Sequence, residues 1–113
     1  MNIQIFGKSK CFDTKKAVRY FKERGIKFQQ IDILDKGISK GEYNSIVAAI
    51  GGYENLIDYN CKDKQLLGLI DCLVTSDRVE TIIDNPKVIK TPIVRNGKKA
   101  TVGYCNEIWK TWE

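Results

Sequence analysis

The chain has 113 residues, of which 42% are hydrophobic and 29% are charged, and its formal net charge is +5. This length fits one domain with one hydrophobic core, and the composition is that of a globular protein. No apolar run approaches the roughly 20 residues that a membrane span needs, and the start of the chain lacks the layout of a secretory signal peptide. We therefore expect a cytoplasmic protein that has no membrane partner.

The absence of histidine removes two broad classes of site. Without histidine, His-dependent catalytic triads and the usual His zinc sites are excluded. The four cysteines, at positions 11, 61, 72 and 105, include no C-x-x-C pair, so we expect no metal site. The positive charge is mild, and no basic stripe alternates with aromatic residues, so we expect no direct contact with nucleic acid.

The first part of the chain predicts a strand, a helix and a second strand. Residues 2–5 alternate polar and apolar side chains, as a strand does. Asp13 or Thr14 can cap the helix that follows, and Gly25 ends it. Residues 27–33 alternate again. The three elements form a βαβ unit, which should be parallel and right-handed.

A run of helices is predicted between about residues 37 and 85. Ser39 stands three residues before Glu42, which is the spacing of a capping box at a helix start. A further helical piece is predicted over residues 64–69, and Ser76 should cap the last helix of this run. The region therefore indicates a helical insertion rather than a second sheet.

The end of the chain predicts a β-hairpin followed by a short helix. The Asn96-Gly97 dipeptide is a strong signal for a two-residue hairpin turn. It separates apolar strands over residues 91–94 and 100–104, and Asn106 can cap a terminal helix. The full order is βαβ, then helices, then ββα.

Cys11 is the strongest candidate for a functional residue. It follows the first strand at the predicted start of a helix, where backbone N–H groups favour negative charge. Lys8, Lys10, Lys15 and Lys16 add positive charge around it. Both effects favour the thiolate, which is the reactive form of cysteine. The alternatives are an inert cysteine in a capping loop and lysines that form an ordinary solvated face.

Two segments of the chain resemble the family of ArsC-type arsenate reductases and Spx proteins. Residues 7–17, G-K-S-K-C-F-D-T-K-K-A, are similar to that family's active-site loop, and residues 85–94, N-P-K-V-I-K-T-P-I-V, to its N-P-x-L-I-x-R-P-I segment. The resemblance spans the whole chain. It implies one thioredoxin-like α/β domain over residues 1–113, with a mixed four-stranded sheet and a helical insertion over about 37–85.

The resemblance implies a thiol-dependent oxidoreductase linked to glutathione, thioredoxin or glutaredoxin, with Cys11 as the nucleophile. Glutathione would be a co-substrate and no cofactor would be bound. Pro92 would be a cis proline that faces Cys11, although an ordinary proline at a strand entry is the alternative. Thr14 would hydrogen-bond the thiolate or only cap the helix. The residues implied to contact substrate are Lys8, Lys10, Lys15, Thr91, Pro92 and Tyr104.

The departures from the family pattern bear on the substrate. Arsenate reductases of this type hold the oxyanion with three arginines, and the matching positions here are Asp58, Thr91 and Tyr104. Thr and Tyr cannot provide the bidentate hydrogen bonds of a guanidinium, and Asp58 would repel arsenate. We therefore expect inefficient arsenate reduction, and a small thiol, another oxyanion or a redox protein as the substrate or partner.

The remaining cysteines and the Spx resemblance supply alternatives. Cys105 is the candidate resolving thiol, Cys61 is expected in a loop, and Cys72 is expected to be a small buried filler. Spx proteins usually carry a second cysteine where Thr14 stands, so a switch disulfide in this loop is excluded. The alternative function is a non-catalytic, Spx-like transcriptional regulator that binds RNA polymerase.

Overall fold

The computed structural model describes residues 1–113 and contains four strands and six α-helices. The strands are β1 (Ile3–Gly7), β2 (Phe28–Asp32), β3 (Ile93–Asn96) and β4 (Lys99–Val102). The helices are α1 (Phe12–Glu23), α2 (Ile33–Lys36), α3 (Lys40–Ile50), α4 (Lys64–Cys72), α5 (Thr75–Asp84) and α6 (Asn106–Lys110), with short 3-10 helices at Tyr53–Asn55 and Pro86–Val88. A helix capable of crossing a bilayer is not found among these elements.

The four strands form one mixed sheet in the order β2-β1-β3-β4. β1 is parallel to β2, with Gly7 opposite Asp32, whereas β3 is antiparallel to both β1 and β4. The mixed four-stranded sheet predicted from the sequence is therefore confirmed. Because β1 and β2 are parallel neighbours, their carboxyl ends lie at the same edge of the sheet. The segments that follow Gly7 and Asp32 consequently come close together at that edge.

Side chains of β1 enter apolar cores on both sides of the sheet. Ile3 and Ile5 pack against α1 and α6, and Phe6 packs against the inserted helices. On the α6 side, the fully buried Trp109 donates a hydrogen bond from Nε1 to the Thr101 hydroxyl at 2.8 Å. Alternation of side chains along a strand explains why one short strand supplies both cores.

The helical insertion between β2 and β3 consists of α2 to α5, and it begins earlier than predicted. Ile33, which the alternating pattern assigns to the second strand, is the first residue of α2. The Asp32 carboxylate accepts a hydrogen bond from the Leu34 N–H at 3.0 Å and so caps that helix. At α3 the predicted capping box is confirmed, because Ser39 and Glu42 each accept the other's backbone N–H.

Three helices begin at other residues than their predicted caps. α1 is capped by Cys11 rather than by Asp13 or Thr14. α5 is capped by Val74 rather than by Ser76, and α6 by Cys105 rather than by Asn106. None of these three cap side chains accepts a hydrogen bond from its helix. Tertiary packing outweighs the local capping preference here. At α1 this shift places a thiol where a capping oxygen would usually stand.

β3 and β4 form the predicted hairpin, with Asn96 paired to Lys99. Gly97 in the turn has a φ of 60°, which favours glycine at this position. The predicted hairpin is therefore confirmed, but its two turn residues are Gly97 and Lys98 rather than Asn96 and Gly97, because Asn96 still pairs within the sheet. The Thr91–Pro92 peptide bond, just before β3, is cis, as the family resemblance implied.

Candidate active site

Cys11 lies at the N-terminus of α1, directly after β1. Its backbone N–H donates to the Lys8 carbonyl at 3.0 Å and its carbonyl accepts from Lys15, so the residue joins a tight turn to the helix. Gly7 allows α1 to pack closely against the strand, because a Cβ atom there would collide with the side chain of Thr14. The half-buried thiol therefore lies at the carboxyl edge of the parallel strands.

Burial and hydrogen bonding act in opposite directions on the Cys11 thiol. Burial raises its pKa, but hydrogen bonds from the Thr14 and Thr91 hydroxyls and from the Asp13 and Thr14 backbone N–H groups outweigh burial and lower the pKa below its ordinary value. In the protonated state, Sγ donates to the Thr91 carbonyl oxygen at 3.6 Å. The site therefore favours the thiolate, the nucleophilic form of the residue.

Thr14 is the buried hydroxyl residue of this site. Its side chain is 3% exposed, and its buried Oγ1 has no hydrogen-bond partner in the structure. A buried hydroxyl without a partner is unfavourable. The hydroxyl gains an acceptor when Cys11 loses its proton, and this gain contributes to the lowered pKa of Cys11.

An open cavity of about 550 Å³ lies beside Cys11. Its lining residues are Lys8, Ser9, Lys10, Cys11, Leu34, Asp58, Lys90 and Thr91. Three lysines against one aspartate give the cavity a positive balance, which favours an anionic ligand. Lys8 is partly engaged, since its ammonium donates to the Ile89 and Lys87 carbonyls at 2.7 and 3.2 Å.

The lysines near Cys11 in the sequence differ in what they contact in the structure. The groups that lower the pKa of Cys11 are hydroxyls and backbone N–H groups, and no lysine is among them. Lys16 instead stacks over the Tyr104 ring, 4.4 Å from its centroid. Lys15 is exposed and lies outside the lining of the cavity. The contribution of the lysine side chains to the activation of the thiol therefore stays a prediction.

The structure brings together some of the residues implied to contact substrate and separates others. Lys8, Lys10 and Thr91 share the cavity with Cys11. The buried Pro92 follows Thr91 directly. Tyr104, with Lys15, stays outside the lining, because its ring packs edge-on against Trp109.

Ser9, Leu34 and Lys90 also line the cavity, although no sequence pattern pointed to them. Leu34 was missed because the alternating pattern extended the second strand over Ile33, which hid the start of α2. The parallel βαβ unit contained a usable signal, since the residues after neighbouring parallel strands meet at one sheet edge. Ser9 and Lys90 are sequence neighbours of residues that were already implicated.

The candidate resolving thiol is not brought into the cavity of Cys11. Cys105 lines a separate cavity of about 310 Å³ and donates to the Val102 carbonyl at 3.4 Å. Burial raises the pKa of Cys105, in spite of the Thr101 hydroxyl and Lys90, which lower it. Lys90 lines both cavities. The two pKa directions therefore favour the thiolate at Cys11 over the thiolate at Cys105.

The other two cysteines, Cys61 and Cys72, do not line the Cys11 cavity. Cys72 is exposed at the end of α4, so its predicted role as a buried filler is wrong. The buried face of α4 carries Leu67 and Ile70 instead. Cys61 is half-buried in a loop, packed against the core of the insertion. No group of three or more side chains of metal-ligating type comes together to hold an ion.

Comparison with curated proteins finds regulators of the Spx type. The chain is 31% identical over 106 residues to the global transcriptional regulator Spx 2 of Oceanobacillus iheyensis, which covers 92% of this chain and 78% of that protein. It is 27% identical over 104 residues to the global transcriptional regulator Spx of Streptococcus agalactiae, with 90% and 76% covered.

Comparison with solved structures finds the same fold at low sequence identity. An arsenate reductase from Vibrio cholerae superposes with a TM-score of 0.82 at 22% identity, covering 96% of this chain and 94% of that one. An ArsC family related protein from Bacteroides fragilis gives a TM-score of 0.86 at 18% identity, covering 100% and 98%. The thioredoxin-like fold class is therefore confirmed. The model of the ArsC family matches residues 6–112, and this chain belongs to the ArsC family.

Proposed function

We propose that the protein is a thiol-dependent oxidoreductase in which Cys11 attacks a sulfur atom of a disulfide, with a glutathione mixed disulfide as the preferred substrate. One observation carries the proposal: the half-buried Cys11 thiol opens onto a cavity, and its local hydrogen bonds lower its pKa despite burial. A structural cysteine in a core would show the opposite shift. The positive balance of the cavity suits the net negative charge of glutathione.

The reaction balances with one external thiol. The Cys11 thiolate attacks the glutathione sulfur of the substrate, a bond forms between those two sulfur atoms, and the substrate sulfur leaves as a thiolate that takes a proton from water. A glutathione thiolate then attacks the glutathione sulfur bound to Cys11. This step releases oxidised glutathione and returns the Cys11 thiolate. One disulfide is thereby exchanged for another: the substrate sulfur goes from disulfide to thiol, and the sulfur of the incoming glutathione goes from thiol to disulfide. The glutathione sulfur that Cys11 attacks stays in a disulfide throughout.

Three features support an external rather than an internal resolving thiol. Thr14 occupies the position where a C-x-x-C motif would have its second cysteine. Cys105 lies in a different cavity, and its pKa is raised by burial. Cys72 is exposed at the end of α4 and is not part of the Cys11 cavity. A monothiol cycle that uses glutathione as co-substrate, in a reducing cytoplasm, needs no second cysteine of the chain.

The lining of the cavity argues against arsenate as the substrate. Asp58 and Thr91, at two of the positions where the resemblance places oxyanion-binding arginines, both face the Cys11 cavity. A carboxylate there repels an oxyanion, and a threonine hydroxyl cannot replace a planar guanidinium. Tyr104, at the third position, is packed against Trp109. We therefore propose disulfide exchange rather than arsenate reduction.

Turnover of a glutathionylated peptide in the presence of glutathione tests the proposal. We expect steady release of the reduced peptide, loss of that release in Cys11→Ser, and full retention of it in Cys105→Ser. Loss of activity in Cys105→Ser, with the fold intact by circular dichroism, would assign resolution to Cys105. Equal rates for the native chain and Cys11→Ser would overturn the proposal.

A second candidate function is a transcriptional regulator that binds RNA polymerase, as the Spx resemblance implies. The observation in its favour is the 31% identity to a Spx regulator over 92% of this chain. Binding would not need a redox switch, which the chain lacks because Thr14 replaces the second cysteine. Co-purification with RNA polymerase that persists in Cys11→Ser would support this function. Absence of polymerase from both preparations would count against it.

A further inference from the structure

We propose that the outward face of α1 docks an acidic protein segment, which carries the glutathionylated cysteine on which Cys11 acts. We call the exposed side chains of Phe12, Lys15, Arg19 and Lys22 the α1 docking face. The inference rests on the proposed function, because it names the substrate as a protein disulfide rather than a free small molecule. It extends that function from the cavity to a surface outside it.

Helical spacing places the four residues of the α1 docking face on one side of the helix. They stand at i, i+3, i+7 and i+10, which is the spacing of a single helix face. All four are exposed, whereas Thr14, Ala17 and Phe21 on the opposite side are buried against the sheet. The fold accounts for the buried side of α1 but gives no role to its outward side.

The three cations of the α1 docking face have no partner within the chain. The ion pairs of the structure are Arg24–Glu113, Lys87–Asp63 and Lys110–Glu107. None of these involves Lys15, Arg19 or Lys22, and no hydrogen bond from their side chains is present. Lys16 adds a charge at the edge of the face. Of the acidic side chains of α1, Glu23 stands in the last turn, away from Cys11, and the exposed Asp13 lies in the first turn at the flank of the face. The face therefore complements a negatively charged partner.

The end of the α1 docking face that lies next to the nucleophile is apolar. Phe12, the residue after Cys11, is 74% exposed, and Leu34, which lines the Cys11 cavity, is 55% exposed. Gly7 and Asp32 are paired in adjacent parallel strands, so the segments carrying Phe12 and Leu34 start at the same sheet edge. Exposed apolar side chains that flank a reactive site are typical of a surface that contacts another protein.

The length of the α1 docking face favours a macromolecular partner over a small molecule. From Phe12 to Lys22 the helix rises about 15 Å, and the four residues of the face lie outside the lining of the Cys11 cavity. A nucleic acid would meet the positive charges but supplies no sulfur and leaves Phe12 and Leu34 without apolar contact. An acidic protein segment with an apolar residue beside its cysteine would pair with the cations of the α1 docking face and also give Phe12 and Leu34 an apolar contact.

Two peptides of equal length test this surface. Each carries a glutathionylated cysteine next to a leucine, followed by a tract of glutamates in one peptide and of glutamines in the other. We expect the native chain to release the glutamate peptide about tenfold faster at low salt, since complementary charge steers association. At high salt, where the screening length falls to roughly 3 Å at 1 M, the advantage should vanish. Hydroxyethyl disulfide, small and neutral, reports the intrinsic reactivity of Cys11.

Matched variants separate the α1 docking face from the total charge of the protein. Arg19→Glu/Lys22→Glu should abolish the preference for the glutamate peptide and leave the reaction with hydroxyethyl disulfide unchanged. Lys98→Glu/Lys99→Glu makes the same change in net charge at the exposed hairpin, on elements other than α1, and should keep the preference. Phe12→Ser should slow the release of both peptides to the same degree.

The outcomes distinguish this inference from the proposed function. If the native chain reacts with hydroxyethyl disulfide but releases both peptides equally fast, the α1 docking face is refuted while disulfide exchange stands. If Cys11 exchanges with no disulfide, fluorescence anisotropy of labelled, reduced peptides with the Cys11→Ser variant decides the docking by itself. Salt-dependent binding of the glutamate peptide that is lost in Arg19→Glu/Lys22→Glu supports it. Tighter binding of a single-stranded oligonucleotide than of the glutamate peptide would overturn it.

Discussion

At the scale of single residues, the chemistry of Cys11 is set by its immediate hydrogen bonds. The thiol is half-buried, and burial alone would raise its pKa. The Thr14 and Thr91 hydroxyls and two N–H groups at the start of α1 reverse that effect. Because each of these donors is held by the fold rather than by solvent, the preference for the thiolate is a property of the folded protein.

Thr14→Val should raise the pKa of Cys11, because the isosteric change removes a hydroxyl that stabilises the thiolate. Alkylation of Cys11 at neutral pH should slow accordingly. At a pH low enough to protonate Cys11, the free energy of unfolding should stay constant or rise by ~1 kcal/mol, since the buried Thr14 hydroxyl has no hydrogen-bond partner in the structure. Mass-resolved alkylation and urea unfolding measure the two effects. An unchanged alkylation profile would show that Thr14 is only a packing residue.

Asp58 should act as a barrier to oxyanions in the Cys11 cavity. Asp58→Arg should therefore increase the protection of Cys11 from alkylation by arsenate or phosphate, while the native chain shows little protection at the same concentration. The physical reason is the exchange of a repelling carboxylate for a guanidinium that binds oxyanions through two hydrogen bonds. Asp35→Arg, an exposed change of the same type on α2, is the control. Strong protection of the native chain would contradict this view of the cavity.

At the scale of elements, the helix starts differ in how strongly they are capped. Both reciprocal hydrogen bonds of the Ser39–Glu42 capping box are present at 3.1 and 2.9 Å. By contrast, α5 starts at Thr75 after Val74, and Ser76 lies inside its first turn. The same residue type therefore stabilises one helix and is neutral in the other.

Ser39→Ala should lower the free energy of unfolding by about 1 kcal/mol, because it removes the side-chain acceptor for an N–H group at the start of α3. Ser76→Ala should change the free energy of unfolding by less than about 0.5 kcal/mol. Urea unfolding of the two variants side by side provides the comparison. A larger loss for Ser76→Ala than for Ser39→Ala would mean that these caps are assigned wrongly.

The sequence predicts those elements whose signals are local. The Ser39–Glu42 box and the hairpin signalled by Asn96-Gly97 depend on residues that are close in the chain. The box is confirmed, and the hairpin is confirmed with its turn shifted by one residue to Gly97-Lys98. The alternating pattern of residues 27–33 predicts a strand that includes the apolar Ile33, while the cap from Asp32 to the Leu34 N–H, which starts α2, has no such periodic signal. Cys72 was expected to be buried because of its apolar neighbours, but the orientation of α4 depends on tertiary packing.

In the candidate site, too, the features with a local sequence signal or a family resemblance are predicted, and those that depend on distances across the fold are not. Cys11 was found from its position between a strand and a helix, and the cis Thr91–Pro92 bond from the family resemblance. The donors that lower the pKa of Cys11 were only partly foreseen, because distances across the fold decide whether a hydroxyl or a lysine reaches the thiol. The separation of Cys105 from Cys11 likewise depends on the placement of α6 against β4, which no local pattern reports.

At the scale of the whole molecule, one sheet separates two cores and supports the site at its edge. The core on the α1 side is built around Trp109, whose ring contacts Tyr20, Phe21 and Tyr104. The core on the other side holds the inserted helices. Because α1 is packed against the first core and carries Cys11 at its start, the stability of that core also determines the position of the nucleophile.

Trp109→Ala should lower the free energy of unfolding by about 3–5 kcal/mol, since it leaves a large cavity and removes the partner of the Thr101 hydroxyl. Trp112→Ala, at a half-buried position in the last residues of the chain, should cost clearly less. Denaturant unfolding followed by far-ultraviolet circular dichroism measures both. Equal losses for the two variants would contradict the central position of Trp109 in this core.

The lowered pKa of Cys11 should also make the stability of the whole protein depend on pH. The folded state binds the Cys11 proton less tightly than the unfolded state, so unfolding takes up a proton between the two pKa values. The contribution of Cys11 to stability is therefore fully present above the unfolded pKa and is lost as the pH falls through the folded pKa. Under reducing conditions, the difference in unfolding free energy between the native chain and Cys11→Ser should grow with rising pH. A difference that shrinks over this range would contradict the direction of the shift.

The measurement that tests the central claim most directly is the pH dependence of alkylation at each of the four cysteines, resolved by peptide mass. We predict that Cys11 reacts with an apparent pKa below that of a free thiol, about 8.5, and below that of Cys105, whose pKa is raised by burial. A Cys11 that titrates at or above the free-thiol value would contradict the account of an activated nucleophile, and with it the proposed disulfide exchange.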